Sequence, residues 1–559
     1  MSDIQKFIEQ LKQTGFEGEI EDATELLDQY SHDASMLEIR PELVVAPKHA
    51  KDVERIVTTT KHLKSEQNGL SLTARSSGTD MSGGAINDSV IVDFKRHLTE
   101  IHTIGKDSAS LQPGVLFKDF DAQAKAKGVL MPTYPASRDL CTVGGMVNNN
   151  SGGEKSIEFG QTANFVNKID FVFADGIKRE VKPLNKKQLE AKMKQKDFEG
   201  EVYRKVFKLV DGHYDSIKQA KPNVSKNATG YCLWDVWDRE TGIFDLTKAI
   251  VGGQGTLGFV TDIDFRLTHA RSDEGLLVIF VKDLRRLGEL IKVVVDKKPS
   301  RFESFDDNTL ILSIRFMPYF LKFLGVKKFL HLLISLIPDA LLLIKGVPRL
   351  ILMASIKGDD PEEIKEKIHA LRKELEQNAK YYGISGFEEA PYERQGEKFW
   401  IMRRYSFQIL RSKVKDKHTA PFIDDLVVRP EYLAKFLPQM RKIIKKYRLF
   451  ATIAGHMGDG NFHIIPLMDI AQDNDRNKIL PAMEEVNQLV LKYHGSLSGE
   501  HNDGLIRGPW LEQMYGKEVL GYFKELKAIF DPDNIFNPHK KTDATWQYTT
   551  QHFRKNFDS

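Results

Sequence analysis

The stretch RSSGTDMSGGA, Arg75 to Ala85, places three glycines between two apolar runs, SLTAR before it and SVIVDF after it. Glycine tolerates a positive φ and lets backbone N–H groups face a phosphate, and Thr79 and Ser82 add hydroxyl donors. Both apolar runs are typical of strands, and the helical pattern HAKDVERIVTTTKHL lies upstream. The opening of the chain therefore predicts an α/β or α+β domain whose first glycine loop suits an anionic ligand.

Two more glycine-rich loops follow, PASRDLCTVGGMVNNNSGGEKSIEFGQT (Pro135–Thr162) and IVGGQGTLGFVTDI (Ile250–Ile263). The latter contains the spacing GxGxxG between Gly253 and Gly258. A dinucleotide-binding fingerprint must open a helix, but the alternating run FVTDIDFRL follows here and predicts a strand, so we reject a nicotinamide-binding domain. One such loop is typical of a tight turn, whereas three loops near predicted strands favour a nucleotide-sized ligand.

The composition limits the classes of function. A chain of 559 residues is too long for one hydrophobic core and predicts two or three domains. Its 81 basic and 78 acidic residues leave a net charge of +3, too small to indicate nucleic-acid binding. The two cysteines, Cys141 and Cys232, exclude a disulfide framework, an iron–sulfur cluster or a thiolate zinc site within this chain. The start MSDIQKFIEQLKQTGF lacks a secretory pattern, so we expect a cytoplasmic protein.

The segment from Phe316 to Leu352 is intensely apolar but is interrupted by lysines, prolines and an aspartate. Its longest uncharged run, Phe329 to Pro338, is far shorter than the roughly 20 residues that span a bilayer. Buried core helices and a basic amphipathic hairpin in a membrane interface are both compatible with this pattern, and a true span is disfavoured.

A second motif, IAGHMGDGNFHIIPL (Ile453–Leu467), carries His456 and His463 on either side of a Gly-Asp-Gly-Asn turn. Seven residues apart on one strand, they would point to opposite faces, but across a turn they can converge. Downstream, GSLSGEHNDG places Glu500 and His501 between glycines. The first motif alone is compatible with a hairpin that carries incidental polar residues. Together the two motifs offer two imidazoles and one carboxylate, a set that suits Zn²⁺ or Mn²⁺ with open positions.

The glycine loops, with KNATGYCL (Lys226–Leu233), YSHDAS and RPELVVAP, resemble in order the FAD-binding half of the vanillyl-alcohol-oxidase-like flavoproteins. The resemblance implies an α+β fold, with a two-subdomain PCMH-type FAD-binding domain at 36–270 and an α+β substrate (cap) domain at 271–540. Residues 1–35 are then a helical segment, 316–352 an insert, and 541–559 a polar surface tail. Neither His nor Cys lies within Arg75–Ala85, so we expect non-covalent FAD, although Cys141 and His97 are not far away in sequence.

The candidate FAD contacts lie in the three loops and in the closing motif FDPDNIFNPHK, where the resemblance places Asn537 near the flavin. They are Arg75, Ser77, Gly78, Thr79, Asp80, Ser82, Gly83, Gly84, Pro135, Thr142, Gly144, Gly145, Asn148, Asn150, Ser151, Gly152, Gly160, Thr162, Gly255, Gly258 and Asn537.

The two histidine motifs resemble the C-terminal half of the FAD-dependent D-2-hydroxy-acid dehydrogenases, which act on D-lactate, glycolate or D-2-hydroxyglutarate. The resemblance implies that His456, His463 and Glu500 are metal ligands and that His501 is the catalytic base. In FWIMRRYS, it places the arginine that binds the substrate carboxylate at Arg403, with Arg404 as the rival. Hydride transfer to FAD, with a metal that acidifies the substrate hydroxyl, suits this set of residues.

Three positions indicate which acid is oxidised. At the positions where relatives that act on 2-hydroxyglutarate bind the distal carboxylate, this chain has Phe407, Ile423 and Ile465. An apolar lining would leave a distal carboxylate unpaired, so we favour D-lactate, with D-2-hydroxyglutarate and glycolate as alternatives. An alkyl transferase on the same fold and a non-catalytic flavoprotein subunit are disfavoured by the complete histidine motifs.

The run IDDLVVRPEYL resembles the larger branch of the family, in which an iron–sulfur domain is fused to the flavin domain. No such domain is evident in this sequence. We therefore expect electrons to pass to a quinone, a cytochrome, an electron-transfer flavoprotein or a separate iron–sulfur subunit. The apolar insert favours a membrane quinone and a cytoplasmic protein held peripherally on the inner face of the cell membrane.

Overall fold

A computed structural model describes residues 2–64, 69–271, 273–315, 346–392, 395–403 and 417–555, with isolated residues between 317 and 333. Arg404, Phe407 and much of the apolar insert 316–352 lie outside the described residues, so the predictions that concern them stay predictions.

Within the described residues, the first half of the chain contains two larger sheets, two two-stranded sheets and ten α-helices. Its strands are β1 (Glu19–Glu21), β2 (Leu43–Ala46), β3 (Leu72–Arg75), β4 (Val90–Asp93), β5 (Ile101–Ile104), β6 (Ser108–Leu111), β7 (Val129–Leu130), β8 (Val166–Val172), β9 (Lys178–Val181), β10 (Trp237–Asp238), β11 (Ile243–Phe244), β12 (Phe259–Arg266) and β13 (Thr268–His269). Its helices are α1 (Asp3–Gln13), α2 (Thr24–Tyr30), α3 (Ala50–Leu63), α4 (Phe117–Ala126), α5 (Val143–Asn149), α6 (Ser156–Phe159), α7 (Lys186–Met193), α8 (Phe198–Gly212), α9 (Tyr214–Gln219) and α10 (Thr247–Ile250).

Among the described residues, a four-stranded sheet has the order β1-β2-β4-β3, with β2, β4 and β3 parallel. A five-stranded antiparallel sheet has the order β5-β6-β12-β8-β9. Strands β2 and β4 are buried along their whole length, which explains their continuous apolar sequences. The rejection of a nicotinamide-binding fingerprint is confirmed, because β12 and not a helix follows Gly258. Residues 1–35, predicted to be helical, also contribute the edge strand β1.

The second half builds one eight-stranded antiparallel sheet within the described residues, in the order β17-β14-β16-β15-β20-β21-β18, with β19 also paired to β21. Its strands are β14 (Asp273–Val281), β15 (Arg301–Asp306), β16 (Leu350–Gly358), β17 (Ile384–Ala390), β18 (His418–Thr419), β19 (Leu426–Val427), β20 (Phe450–His456) and β21 (Asn461–Met468). Its helices are α11 (Leu287–Val295), α12 (Asp307–Arg315), α13 (Pro361–Gln377), α14 (Leu433–Lys446), α15 (Asp473–Arg476), α16 (Ile479–Lys492), α17 (Gly504–Arg507), α18 (Leu511–Phe530) and α19 (Trp546–Gln551), and residues 395–403 are also helical apart from this series.

The two faces of the eight-stranded sheet have different roles, because successive side chains alternate between them. On β14, Leu277, Ile279 and Val281 join the main hydrophobic cluster with α11, α13, α14 and α16. The intervening Leu276, Val278 and Phe280 face the other side and join Phe399 and Met402 from the helical residues 395–403. This second face, which we call the site face, also carries His456 and His463.

The structure corrects the end of the apolar insert. Leu350, Ile351 and Leu352, predicted as part of either buried core helices or an amphipathic hairpin, are buried in β16 between β14 and β15. The end of the insert is apolar because its strand is covered on both faces of the sheet. No helix among the described residues is long and apolar enough to cross a bilayer.

The structure also corrects the predicted surface tail at 541–559. Lys541 is fully buried and forms an ion pair of 2.8 Å with fully buried Asp503. Beyond it, α19 packs into place, and Phe553, only 6% exposed, joins the main cluster and bridges to Leu37. A polar composition suggests an exposed segment, but here a buried carboxylate neutralises the lysine and allows it to be buried. Composition alone does not reveal that partner. Residues 556–559 lie outside the described part of the chain.

Candidate functional site

The three glycine-rich loops meet around one cavity, as the sequence predicts. Fourteen of the predicted cofactor contacts line it: Arg75, Ser77, Gly78, Thr79, Asp80, Gly84, Pro135, Thr142, Gly144, Gly145, Asn148, Ser151, Gly255 and Gly258. Gly78 and Gly255 have φ of +65° and +67°, a conformation that strains other residues. The same cavity extends to Glu500 and His501 in the second half of the chain. The loops and the histidine motifs therefore form one continuous site.

The other predicted cofactor contacts, among them Ser82, Gly83, Asn150, Gly152, Gly160 and Thr162, are absent from the lining of this cavity. Asn537, which the sequence placed near the flavin, supports the loops from behind. Its amide donates to the carbonyl oxygens of Gly84 (2.9 Å) and Gln254 (2.7 Å), and its Oδ1 accepts from Thr73 (2.9 Å). Asn537 is only 1% exposed, and its amide connects the segments that carry Thr73, Gly84 and Gln254.

Arg75 also has a more structural role than the sequence indicated. Its guanidinium donates to the carbonyl oxygens of Tyr30 (3.1 Å), His32 (2.7 Å) and Ala85 (3.3 Å) and lies over the Tyr30 ring. These contacts fix both ends of the first glycine loop against the N-terminal segment. Arg75 therefore shapes the loop as much as it lines the cavity.

Two features of the lining indicate how an FAD would be held. The Ser77 hydroxyl is buried and has no hydrogen-bond partner among the described residues, so it is available to a ligand oxygen. Cys141, which also lines the cavity, was not among the predicted contacts. Burial raises the pKa of its thiol to about 12. The thiol is then a poor nucleophile near neutral pH, which supports a non-covalent cofactor.

The histidine motif forms the hairpin β20–β21, with Met457–Asp459 as the turn. Ala454 pairs with His463, so His463 and the terminal His456 of β20 lie on the same face, with ring centroids 5.2 Å apart. Gly460 closes the turn with φ +64°, where a Cβ would lie 1.9 Å from the Val428 carbonyl oxygen. Convergence of the two imidazoles across the turn is confirmed.

The loop that carries Glu500 and His501 is fixed by a residue that the sequence did not single out. The Oδ2 atom of Asp425 accepts the backbone N–H groups of Glu500 and His501, each at 2.8 Å, and the Ser498 hydroxyl at 2.6 Å. Asp425 itself has φ +67°, a strained value that this network holds in place. As a result the ligand atoms of His456, His463 and Glu500 lie within 4.8 Å of one another, a spacing that could hold a metal ion.

Each candidate ligand histidine is oriented by a buried carboxylate. His456 Nδ1 lies 2.6 Å from Glu303 Oε1, and His463 Nδ1 lies 3.2 Å from Asp424 Oδ1. A carboxylate at Nδ1 fixes the tautomer and leaves Nε2 free for an ion. Glu303 and Asp424 were also missed from the sequence. Asp424 lies between the apolar runs APFI and LVV, which is a local signal, whereas Glu303 lies in the mixed sequence RFESFD, which gives none.

Asp424, His463 and His501 form a second set with metal-ligand spacing. Here, however, His501 Nδ1 lies 2.7 Å from Asp424 Oδ2, and His463 Nδ1 faces Oδ1 of the same carboxylate. Contacts between imidazole N–H groups and a carboxylate account for this cluster. The set of His456, His463 and Glu500 is therefore the better candidate for an ion.

The charge balance of the site also fits a divalent cation. Five acids at the site are at most 3% exposed: Glu303, Asp424, Asp425, Asp459 and Glu500. Lys226 and Arg403 pair with carboxylates of this set, and the Arg507 guanidinium lies nearby, where it donates to the backbone carbonyl oxygen of Asp424. These five carboxylates and three cations leave two uncompensated negative charges among the described residues, a costly arrangement in a dry interior. One divalent ion would compensate them.

Protons on two imidazoles can balance the same charge when no ion is bound. Burial lowers the pKa of His456, but Glu303 and Glu500 outweigh burial and raise it to about 9. Burial likewise lowers the pKa of His501, and Asp425 and Asp424 raise it to about 9. Both rings are then cationic at neutral pH. A bound cation would favour their neutral forms, which are the forms that ligate and accept protons.

Lys226 is a further residue missed by the sequence reasoning, although it lies in the quoted segment KNATGYCL. Its ammonium group is buried, pairs with Glu500 and lies 3.4 Å from Asp459. An ion at the histidine pair would therefore share Glu500 with a lysine. This contact holds the Glu500 side chain from the FAD-binding half of the chain.

Arg403 ends the described part of the helix at 395–403 and reaches the site face, where it pairs with Glu303. Its Nε is buried and has no hydrogen-bond acceptor among the described residues, so a substrate oxygen can fill that position. The rival Arg404 lies outside the described residues.

The three residues predicted to form an apolar lining of the substrate pocket are not found together among the described residues. Ile465 lies on the site face, two residues beyond His463 on β21. Ile423 is fully buried within the main hydrophobic cluster. Phe407 lies outside the described residues. Ile465 alone therefore supports an apolar wall beside the histidines.

Comparison with known families identifies both halves of the chain. Residues 41–181 match the family described as FAD binding domain, and residues 272–541 match the FAD linked oxidases, C-terminal domain. The structure resembles that of an alkyldihydroxyacetonephosphate synthase with a TM-score of 0.64 and 14% identity, over 96% of this chain and 85% of that one. At this identity the likeness shows the fold alone.

Curated relatives include the D-2-hydroxyglutarate dehydrogenase of Escherichia coli (strain K12), 26% identical over 96% of this chain and 52% of the relative. The D-lactate dehydrogenase of Archaeoglobus fulgidus is 22% identical over 89% of this chain and 90% of its own length. The chain spans about half the length of the first of these relatives.

Proposed function

The chain belongs to the FAD-linked oxidases, and from that premise we propose that it oxidises a D-2-hydroxy acid to the 2-oxo acid with non-covalent FAD and a divalent metal, zinc or manganese. One observation carries the proposal. The cavity between the glycine loops reaches Glu500 and His501, beside the converging pair His456 and His463. A cofactor in this cavity would lie next to the residues that we propose to activate the substrate hydroxyl.

When bound, FAD supplies the acceptor for the substrate hydride, and a divalent metal lowers the pKa of the substrate hydroxyl. Among the residues of the chain, Arg403 binds the substrate carboxylate, with its buried Nε as one of the donors. His501 accepts the hydroxyl proton at Nε2, because Asp424 engages Nδ1. His456, His463 and Glu500 hold the metal.

Ile465 favours an acid with a small, apolar side chain, and D-lactate is the substrate that we propose. The Ile465 side chain offers no hydrogen bond to a distal carboxylate, and burying that charge unpaired is costly. D-2-hydroxyglutarate and glycolate remain the alternatives. The name of the Escherichia coli relative supports the first of them.

The direct test is anaerobic bleaching of the bound flavin by a panel of D- and L-2-hydroxy acids. We expect D-lactate to bleach it at a kcat/KM at least about 10-fold above that of D-2-hydroxyglutarate, since an unpaired buried carboxylate costs more than 1.4 kcal/mol. L-lactate is the matched control, because it differs from D-lactate only in configuration. Bleaching by none of these acids would refute the proposed oxidation, and a preference for D-2-hydroxyglutarate would refute the apolar substrate.

We propose that electrons leave to a membrane quinone, with a cytochrome, an electron-transfer flavoprotein or a separate iron–sulfur subunit as alternatives. The supporting observation is a set of exposed apolar side chains on α12 and on the described residues of the insert. Ile311 and Ile314 are 49% and 48% exposed, and the described insert residues Tyr319, Leu321 and Val326 are also exposed. The basic helix α14 lies beside it, with Arg441 in contact with Asp307 of α12. Apolar side chains flanked by cations suit an anionic lipid surface.

Sedimentation with vesicles that contain anionic lipid tests this contact. We expect the whole protein to sediment. The double variant Ile311→Glu/Ile314→Glu should bind at least about 10-fold more weakly, because two apolar side chains that would enter the lipid interface are replaced by charged ones. Ile177→Glu is the matched control, since Ile177 is 50% exposed but lies in the FAD-binding half. If the unaltered protein stays in the supernatant, the membrane contact is wrong.

A further inference from the structure

One buried carboxylate contacts both parts of the candidate active site. Glu303, on β15, is fully buried, and its Oε1 lies 2.6 Å from Nδ1 of the candidate metal ligand His456. Its other oxygen, Oε2, pairs with the guanidinium of Arg403. One side chain thus touches a ligand of the proposed ion and the residue proposed to bind the substrate carboxylate.

The sheet places Glu303 in this position. Strands β15 and β20 pair with Glu303 opposite His456 and Phe305 opposite Ala454, so the two side chains point to the site face together. The helical residues 395–403 pack on that face through Phe399 and Met402, which brings Arg403 over the same carboxylate. The contact is therefore fixed by strand register on one side and by helix packing on the other.

We propose that Glu303 is a positioning residue that couples metal binding to substrate binding, an inference that rests on the proposed function. Through Oε1 it fixes the tautomer of His456, which leaves Nε2 to bind the ion. Through Oε2 it holds one edge of Arg403 and leaves the buried Nε for the substrate carboxylate. Loss of this one carboxylate should therefore weaken two separate binding events.

The charge of Glu303 is stabilised by the same partners. The carboxylate is hydrogen-bonded to His456 through Oε1 and ion-paired with Arg403 through Oε2, so its charge contributes to both contacts. Glutamine has the same shape without the charge, so Glu303→Gln removes the coupling with little change in volume.

The test compares Glu303→Gln with the unaltered holoprotein after its metal has been removed by chelation. Titration with Co²⁺ gives the metal affinity and a visible absorption spectrum that reports the ligand geometry. At saturating Co²⁺, KM and kcat are measured with whichever D-2-hydroxy acid bleaches the flavin. We expect the Co²⁺ affinity to fall 10- to 100-fold, the Co²⁺ spectrum to shift, and KM to rise about 10-fold or more.

Two further variants separate coupling from general damage. Arg403→Lys should raise KM but leave the Co²⁺ affinity within about 2-fold, because Lys retains charge without the fork that binds a carboxylate. Asp306→Asn removes another buried carboxylate of β15, one that binds Thr309 at 2.8 Å, and should change neither readout. Glu303→Asp replaces the glutamine variant if that variant does not fold, and smaller changes in both readouts are then expected.

The result that overturns the inference is a folded Glu303 variant in which only one readout, or neither, departs from that of the unaltered protein. Failure of the proposed function looks different. In that case the unaltered protein itself binds no Co²⁺ or oxidises none of the acids.

Discussion

Replacing His456 by alanine is expected to lower the rate of D-2-hydroxy-acid oxidation by at least about 10³-fold while FAD remains bound. The substitution deletes one of three candidate metal ligands, and a metal that acidifies the substrate hydroxyl contributes several kcal/mol, with about 1.4 kcal/mol per factor of ten. The proposed FAD contacts are residues of the glycine loops, and His456 is not among the residues that line that cavity. Dye reduction, metal content and the flavin spectrum are the measurements.

His102→Ala is the matched control for that variant. His102 also pairs with a carboxylate, Asp262 at 2.8 Å, but on the five-stranded sheet outside the site. Chelation of the unaltered protein should reproduce the loss, and added Zn²⁺ or Mn²⁺ should reverse it. Full activity of His456→Ala, or of a protein shown to be free of metal, would contradict the metal role.

Replacing His501 by asparagine is expected to lower kcat by about 10²- to 10⁴-fold with metal and FAD both retained, because the proton acceptor is lost while the ligands remain. His501 lines the cavity beside Glu500, and its Nδ1 is held by Asp424. Asparagine cannot accept the hydroxyl proton. Single-turnover bleaching of the flavin separates this chemical step from the binding of substrate.

The control is His494→Asn, an exposed histidine with φ +52° on the same stretch of chain, where asparagine is readily accommodated. It should leave kcat unchanged. A His501→Asn variant with kcat near that of the unaltered protein would remove His501 from the role of base. Loss of metal from that variant would reassign it as a ligand, in line with the second cluster of Asp424, His463 and His501.

The sequence was most informative where function depends on local chemistry. Glycines at Gly78 and Gly255 predicted loops that indeed line one cavity, because a positive φ favours glycine at those turns. His456 and His463 could be brought together from sequence, because a Gly-Asp-Gly turn reverses the chain between them. The rejection of a helix after Gly258 rested on alternation, which is also a local signal.

The residues that were missed depend on long-range pairing. Glu303 reaches His456 across 153 residues through the β15–β20 register, and a single sequence does not reveal which strands pair or in what register. Lys226 and Glu500 are separated by 274 residues and come from different halves of the chain. The contacts of Asn537 and the burial of Lys541 were missed for the same reason, since each is buried by partners remote in sequence.

The register of the β20–β21 hairpin makes this region intolerant of changes in length. Because side chains alternate, inserting or deleting one residue between the turn and His463 would turn His463 into the main hydrophobic cluster and present a neighbouring apolar side chain to the candidate metal site. The turn cannot absorb the change, since Gly460 already lies against the Val428 carbonyl. A point substitution at Ile465 changes one side chain of the site face, whereas a frame-preserving deletion of the codon for Asn461 or Phe462 would dismantle the candidate set of His456, His463 and Glu500.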